Sequence, residues 1–203
     1  MRVVVIIPVG PGHEQVAQTA VYSVHKAWAT TSGPFLDLAV VLVPDPQGLR
    51  GRSAARNWAM DAYPADWHFF LDADDWMDLQ AFNLVSLSFA ATFGAVCLGR
   101  KVIRENRWPC TRADLFEYGA AGTLSMGCFV RGDLGLRFND TLDVGEDFDF
   151  YMRLPNFHKV AVPLVHIGYN VPSAGGPRSS AKCQWREACA EVVERYRILE
   201  GRP

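Results

Sequence analysis

Three carboxylates, Asp72, Asp74 and Asp75, fall within four residues, directly after the apolar and aromatic run Trp67-His68-Phe69-Phe70-Leu71. Carboxylates this close repel one another unless a cation or a shared proton compensates them. Such repulsion is tolerated where a divalent metal is the intended partner, whereas an acidic surface turn is the plain alternative, since Asp is common in turns. A second acidic pair, Glu146-Asp147, follows Gly145 at the start of a helical pattern. A helix N-terminus favours each carboxylate by about 0.3–1 kcal/mol, so the pair is either a capping feature or a base held in its ionised form. Arg56 lies in the first turns of a helix opened by Gly51-Arg52-Ser53-Ala54-Ala55-Arg56-Asn57. Its planar fork suits a diphosphate or a pyrimidine carbonyl, and a solvated helix arginine is the simpler reading. His166 closes an apolar strand before Gly168; neutral imidazole is a metal ligand, and a half-buried strand histidine competes with that role. His13, His25, His68 and His158 have no partner at ligand spacing and are expected at surfaces or strand edges.

The elements that must position these groups alternate strand and helix. Residues 3–8 form a continuous β-branched run, and residues 14–30 carry Val16, Ala20, Val24 and Ala27 at helical spacing. Further strands are expected over 36–43 and 67–71, helices over 53–63 and 79–93, and a strand over 94–103. Strands too hydrophobic to have a wet face indicate a mostly parallel sheet covered on both sides. Acidic residues at a strand's C-terminal tip then lie at the edge where open α/β sheets bind ligands. The second half reads as a loop and short helix over 111–124, a strand over 125–131, a helix over 146–154 and an extended stretch over 159–169. Residues 172–180 are the flexible segment, in which Gly175-Gly176-Pro177-Arg178 could serve as a lid with Arg178 reaching inward. A final amphipathic helix places Trp185, Ala188, Cys189, Val192, Tyr196 and Leu199 on one face. Trp28, Trp58 and Trp185 read as packing residues, Trp67 as structural, and Trp76 as a ring that could stack on a sugar; Trp108 is undetermined.

Composition narrows the class. The 203 residues, 49% hydrophobic and 21% charged, suit one sizeable core, and a net charge of −2 argues against a globally basic nucleic-acid binder. No apolar run reaches the roughly 20 residues of a membrane span. The opening apolar stretch is too short for a signal peptide, contains Pro8, and lacks a small-residue cleavage site. The five cysteines (Cys97, Cys110, Cys128, Cys183, Cys189) are odd in number without CxxC spacing, so reduced thiols and a cytoplasmic location are expected.

The ordered set of the Ile7-Pro8-Val9 strand end, the Ala55-Arg56-Asn57 helix, the Asp72-Ala73-Asp74-Asp75 segment and, some 70 residues on, the Glu146-Asp147 helix resembles the family-2 glycosyltransferases of the GT-A fold. The resemblance runs over nearly the whole chain. It implies an α/β fold with one GT-A domain over 1–203, a nucleotide-binding half over about 1–95 and an acceptor-binding half over about 96–203. It implies transfer of a sugar from a nucleoside-diphosphate sugar to an acceptor hydroxyl, with inversion, assisted by Mn²⁺ or Mg²⁺. Carried over residue by residue, Asp147 is the base and Glu146 positions the acceptor. Asp74 is the metal ligand with His166 as a further one. Pro8, Glu14, Asp45, Arg56, Asp72, Ala73 and Asp75 contact the nucleotide sugar. At Asp45 the chain departs from the family pattern, since Val43-Pro44-Asp45-Pro46-Gln47-Gly48 replaces an Asp- and Ser-rich loop. The acceptor is open: a small molecule, a glycan, a lipid-linked group or a modified nucleic-acid base.

Rival readings fare worse. Gly10-Pro11-Gly12 suggests a dinucleotide fingerprint, but its third glycine would fall at Gln15. A dehalogenase-type phosphatase would carry its acidic pair on the first strand rather than the third. A nucleotidyltransferase making activated sugars needs basic residues in the loop after the first strand, and residues 10–16 have neither Lys nor Arg. A catalytically inactive nucleotide- or carbohydrate-binding module is the remaining alternative.

Overall fold

In the computed structural model, residues 1–98, 101–104, 112–118, 126–168 and 182–201 are described. Along the chain run β1 (Arg2–Val9), α1 (Glu14–Thr30), β2 (Asp37–Pro44), α2 (Arg52–Ala62), β3 (Trp67–Phe70), β4 (Trp76–Met77), β5 (Ala91–Phe93), β6 (Val96–Leu98) and β7 (Lys101–Arg104). Then follow α3 (Arg112–Tyr118), β8 (Cys128–Arg131), α4 (Glu146–Met152), β9 (His158–Lys159), β10 (Val165–Ile167) and α5 (Lys182–Glu200). Six strands form one sheet in the order β2-β1-β3-β8-β5-β9, with three of its five pairings parallel. A second sheet runs β4-β10-β6-β7.

The β-branched run of β1 is buried on both faces, which is why it lacks the alternation of a half-wet strand. Val3, Val5, Ile7 and Val9 share one apolar cluster with Ala17, Ala20, Val24 and Ala27 of α1. Val4 and Ile6 face the other cluster, shared with Ala55, Ala59 and Met60 of α2 and with buried residues of α4 and α5. The sheet is thus sandwiched between helical layers, and the expected α/β architecture with a mainly parallel sheet is the one observed.

Local readings differ in six places. Residues 79–93 are not a helix: a single 3-10 turn covers Ala81–Leu84, and β5 follows. The Asp78 carboxylate accepts the Gln80 amide (2.9 Å), and the Ser86 amide donates to buried Thr92 Oγ1 (3.2 Å), a pattern that ties the backbone into turns. The strand over 94–103 is an antiparallel pair, β6 with β7, and the extended 159–169 stretch splits between the two sheets as β9 and β10. His68 is buried in β3, with its Nε2–H donating to the Tyr63 carbonyl (3.1 Å) and its ring over Phe70. Trp58 is 44% exposed, beneath the Arg50 guanidinium, and Leu199 is 70% exposed, leaving Cys189, Val192 and Val193 as the buried stripe of α5. Residues 169–181, with the Arg178 segment, and Trp108 and Cys110 lie outside the described residues. Among those described, no helix is long and apolar enough to cross a membrane.

Candidate functional site

β1, β2 and β3 run parallel; β1 and β2 end opposite each other at Val9 and Pro44, and β3 stops at Phe70, opposite Ile6. Past β3, the Leu71 amide still donates to Ile6 (3.1 Å), and the chain then turns, the Asp72 carbonyl accepting the Asp75 amide (3.0 Å). The sheet therefore delivers the acidic residues to its C-terminal edge, as the spacing predicts. Ala73 points its methyl into the apolar cluster under α1, so only its backbone is offered outward. Asp72 and Asp74 are half-buried and Asp75 is buried.

Two strands of the second sheet pin this turn. The Gly168 amide, just past β10, donates to Asp75 Oδ1 (2.9 Å). Gly168 lies so close that a Cβ there would sit 1.6 Å from the Asp74 carbonyl oxygen. Trp76 and His166 face each other across the β4–β10 pair, their rings parallel with centroids 5.7 Å apart. Trp76 thus spends one face on His166. His166 Nε2 lies 2.7 Å from Asp78 Oδ2, the arrangement by which a carboxylate orients a metal-ligating imidazole. The bond to His166 holds the Asp78 carboxyl below its ordinary value, against the opposing effect of burial. Asp78 escapes sequence reasoning because its partner lies 88 positions away.

α2 and α4 complete the edge. Arg56 is 1% exposed, its Nη2 2.7 Å from Asp72 Oδ1 and its Nη1 3.4 Å from Glu146 Oε1. Its guanidinium lies over the Phe138 ring, 5.0 Å from the centroid. Burial disfavours its charge, but Asp72, Glu146 and Asp147 outweigh that and hold the proton more firmly than usual. Arg52 Nε meets the same Glu146 oxygen at 2.7 Å and Nη2 bonds the Asp143 carbonyl (3.0 Å). The sequence pointed to Arg56 as a nucleotide contact; in the fold its visible partners are two carboxylates and an aromatic ring. Asp147, half-buried, accepts the Phe148 amide through Oδ1 (2.7 Å). Burial first, and the neighbouring Glu146 second, push its carboxyl up to about 7, in the range that suits a general base at neutral pH.

The remaining expected contacts are spread around this edge. Pro8 is half-buried near the end of β1, in register with Val43. Glu14 is exposed in the first turn of α1. Asp45 follows β2, and its carboxylate accepts the amides of Leu49, Arg50 and Gly51 at 3.0, 3.1 and 2.9 Å. Slight burial raises its carboxyl, yet the three amides prevail and keep it below the ordinary value.

No group of three or more His, Cys, Asp or Glu side chains able to hold an ion occurs among the described residues. Mg²⁺ and comparable hard cations bind through one or two carboxylates together with substrate phosphates and waters, without an all-protein cage. An acidic turn of Asp72, Asp74 and Asp75 has that donor chemistry. Arg52 and Arg56 are both paired with carboxylates here, so a diphosphate arriving at this edge needs added positive charge. A separate cavity of about 470 Å³, lined by Met1, Asp66, Trp67, Leu87 and Arg131, opens at the amino ends of β1 and β3, away from these residues.

Comparison with known proteins places the chain. No curated protein matches it in sequence. Among solved structures it is similar to S. aureus TarS 1-349 in complex with UDP-GlcNAc, at a TM-score of 0.67 and 15% identity over 95% of this chain and 65% of that one. TarS 1-349 with UDP superposes at 0.60 and 16% identity, over 82% of this chain and 60% of that one. Glucosyl-3-phosphoglycerate synthase from Mycobacterium tuberculosis, in complex with Mn²⁺, UDP-glucose and phosphoglyceric acid, gives 0.56 and 16% identity over 100% of this chain and 80% of that one. The chain thus spans less than two thirds of the TarS chain's length, and these likenesses establish a shared GT-A fold. The family model described as glycosyl transferase family 2 matches residues 23–153, which carry α2, the acidic turn and α4; the chain belongs to glycosyl transferase family 2.

Proposed function

We propose that this protein transfers a sugar from a nucleoside-diphosphate sugar to an acceptor hydroxyl, with a divalent metal and with inversion at the anomeric carbon. The observation that carries the reading is the meeting, at buried Arg56, of the acidic turn with the helix start that bears Asp147. Asp147, with its carboxyl near 7, takes the acceptor proton as the acceptor oxygen attacks the anomeric carbon. The bond from that carbon to the phosphate oxygen breaks, its electron pair leaving with the nucleoside diphosphate. Glu146, fixed by Arg52 and Arg56, positions the acceptor side.

Pro8, Glu14, Asp45, Arg56, Asp72, Ala73 and Asp75 form the donor side within a single domain, whose half over about 1–95 holds the nucleotide and whose half over about 96–203 holds the acceptor. Asp45 and Arg56 then act by shaping the base pocket through the loop and charges they hold, or by exchanging present partners for the nucleotide on binding. Asp74 and His166 would hold Mn²⁺ or Mg²⁺. When bound, such an ion stabilises the charge gathering on the departing diphosphate. A uridine donor is supported by the UDP, UDP-GlcNAc and UDP-glucose in the structural neighbours, and the metal by the Mn²⁺ and Mg²⁺ in the synthase structures. The acceptor is a small molecule, a glycan, a lipid-linked group or a modified nucleic-acid base, in the cytoplasm.

A thermal-shift panel of UDP, GDP, ADP and CDP, each with and without Mn²⁺, tests this reading. UDP with Mn²⁺ is expected to give the largest stabilisation, and Asp74→Asn to abolish its Mn²⁺-dependent part. A panel in which no diphosphate stabilises the protein in either condition contradicts the proposal.

A further inference from the structure

The buried acid Asp149 has no part in the reaction just described. It is 2% exposed and lies in α4 two residues after Asp147. Its neighbours Phe148, Phe150, Tyr151 and Met152 are buried apolar or aromatic groups, so a carboxylate here carries a desolvation cost that an apolar residue would not. Its Oδ2 lies 2.8 Å from Nη2 of Arg153, the residue just past α4. Its Oδ1 reaches α5, with Arg195 Nη1 at 3.5 Å and the Tyr196 hydroxyl at 3.4 Å.

The local ties of α4 include the Asp149–Arg153 pair and the Phe148 amide on Asp147. The helix has seven residues, too few to be stable on its own, and its N-cap Gly145, at φ +80°, provides no side-chain cap. That end also lies close against α5: a Cβ on Gly145 would sit 3.3 Å from the Ala188 methyl. Between the two contacts, Cys189, Val192 and Val193 of α5 are buried in the same cluster as Phe148, Tyr151 and Met152. Glu146 and Asp147 are therefore bracketed by Ala188 at Gly145 on one side and by Arg195 and Tyr196 at Asp149 on the other. The shared family stretch ends at residue 153, so α5 lies wholly outside it.

We propose that α5 is a positioning element for the Glu146-Asp147 end of α4, and that Asp149, Ala188, Arg195 and Tyr196 are positioning residues for transfer. The proposal rests on the reading of Asp147 as the base. The phenol of Tyr196, raised above its ordinary value by burial and then by Asp149, stays a neutral donor to that carboxylate at any working pH. The acidic turn continues β3 and is bonded to Gly168, so a loosened α4 is expected to spoil chemistry and spare nucleotide binding at that turn.

The test compares the whole chain with Ala188→Leu, Asp149→Asn and Tyr196→Phe by two measurements. Hydrogen exchange of the α4 amides reports on the helix directly, and Mn²⁺-dependent release of UDP from UDP-glucose and UDP-GlcNAc, with water as acceptor, reports on chemistry. Exchange over 146–152 is expected to quicken in all three while that of β1 and β3 does not. In Ala188→Leu and Asp149→Asn, kcat falls about 10- to 100-fold with donor KM and the UDP thermal shift unchanged, the scale expected from a small misplacement of a catalytic group. Tyr196→Phe, which removes one hydroxyl, gives a smaller loss of the same kind and stands in where the larger changes prevent folding. Unchanged α4 exchange overturns the proposal, as does quickened exchange with normal kcat, or a fall in kcat matched by weakened donor binding. Failure of the unsubstituted chain to cleave either donor sinks the transfer reading instead, and the exchange measurement alone then decides whether α5 holds α4.

Discussion

The two acidic regions of this molecule are held in place by different physics. The turn at Asp72 to Asp75 is fixed by backbone: it continues a buried strand, closes with a main-chain hydrogen bond, and lies against Gly168 with no room for a side chain. The helix start at Glu146 and Asp147 is fixed by side chains: Arg52 and Arg56 on Glu146, Ala188 against Gly145, and the apolar face of a short helix. On the proposed reading, a turn that binds a heavily charged diphosphate benefits from a rigid edge, whereas a base that meets an acceptor is tuned by its surroundings. Arg56 is bonded to both regions.

Breaking that joint should have the largest effect. Arg56→Met leaves half-exposed Asp72 without its cation and Glu146 with Arg52 alone, so the loss falls below the roughly 3–5 kcal/mol of a fully broken buried pair. Denaturant unfolding should register that loss, and the UDP-dependent thermal shift should shrink with it. Gly168→Ala attacks the turn alone. Its methyl would overlap the Asp74 carbonyl oxygen, and overpacking of this kind costs roughly 1–3 kcal/mol or more. Donor KM should rise with the fall in stability, while the α4 amides keep their exchange rates.

Asp147→Asn sharpens the comparison on the helix side through pH. The folded-state carboxyl of Asp147 lies near 7, above its ordinary 3.8, so the fold favours the protonated form. That contribution is complete below the unfolded value and is lost as pH rises through about 7. The unsubstituted protein should therefore lose melting temperature between pH 5 and pH 8 relative to Asp147→Asn, and the gap should be widest above pH 7. Activity should rise over the same interval as the base loses its proton. A smaller effect is expected at Asp45, whose carboxylate is partly exposed. Asp45→Ala releases the three loop amides before α2, at about 1 kcal/mol by the usual net worth of a hydrogen bond, and should weaken UDP binding more than it lowers kcat.

The same division separates what could be read along the chain from what could not. The helix over 14–30 and the strand ends carrying Pro8, Asp45 and Asp72 follow from local apolar periodicity to within a residue or two. The stretch over 79–93 misled because Ala81, Phe82, Leu84 and Val85 imitate a helical face, although their packing against α1 and β8 needs only a single turn. The acidic turn and the acidic helix start are visible as motifs. Their mutual arrangement is not, since Arg56 and Glu146 are 90 positions apart, Asp75 and Gly168 are 93, and Asp78 and His166 are 88. Asp149 gave no local sign, being one more acid in an acidic stretch until α5 closes over it.

The central claim is that Asp147 acts on chemistry at an edge where the acidic turn binds the donor. Release of UDP from UDP-glucose and UDP-GlcNAc with Mn²⁺, measured beside the UDP thermal shift for the unsubstituted protein and Asp147→Asn, tests it most directly. The account predicts an equal thermal shift in both and a turnover in Asp147→Asn lower by about 10²- to 10⁴-fold, the usual contribution of a positioned base. Equal turnover in the two proteins would contradict it.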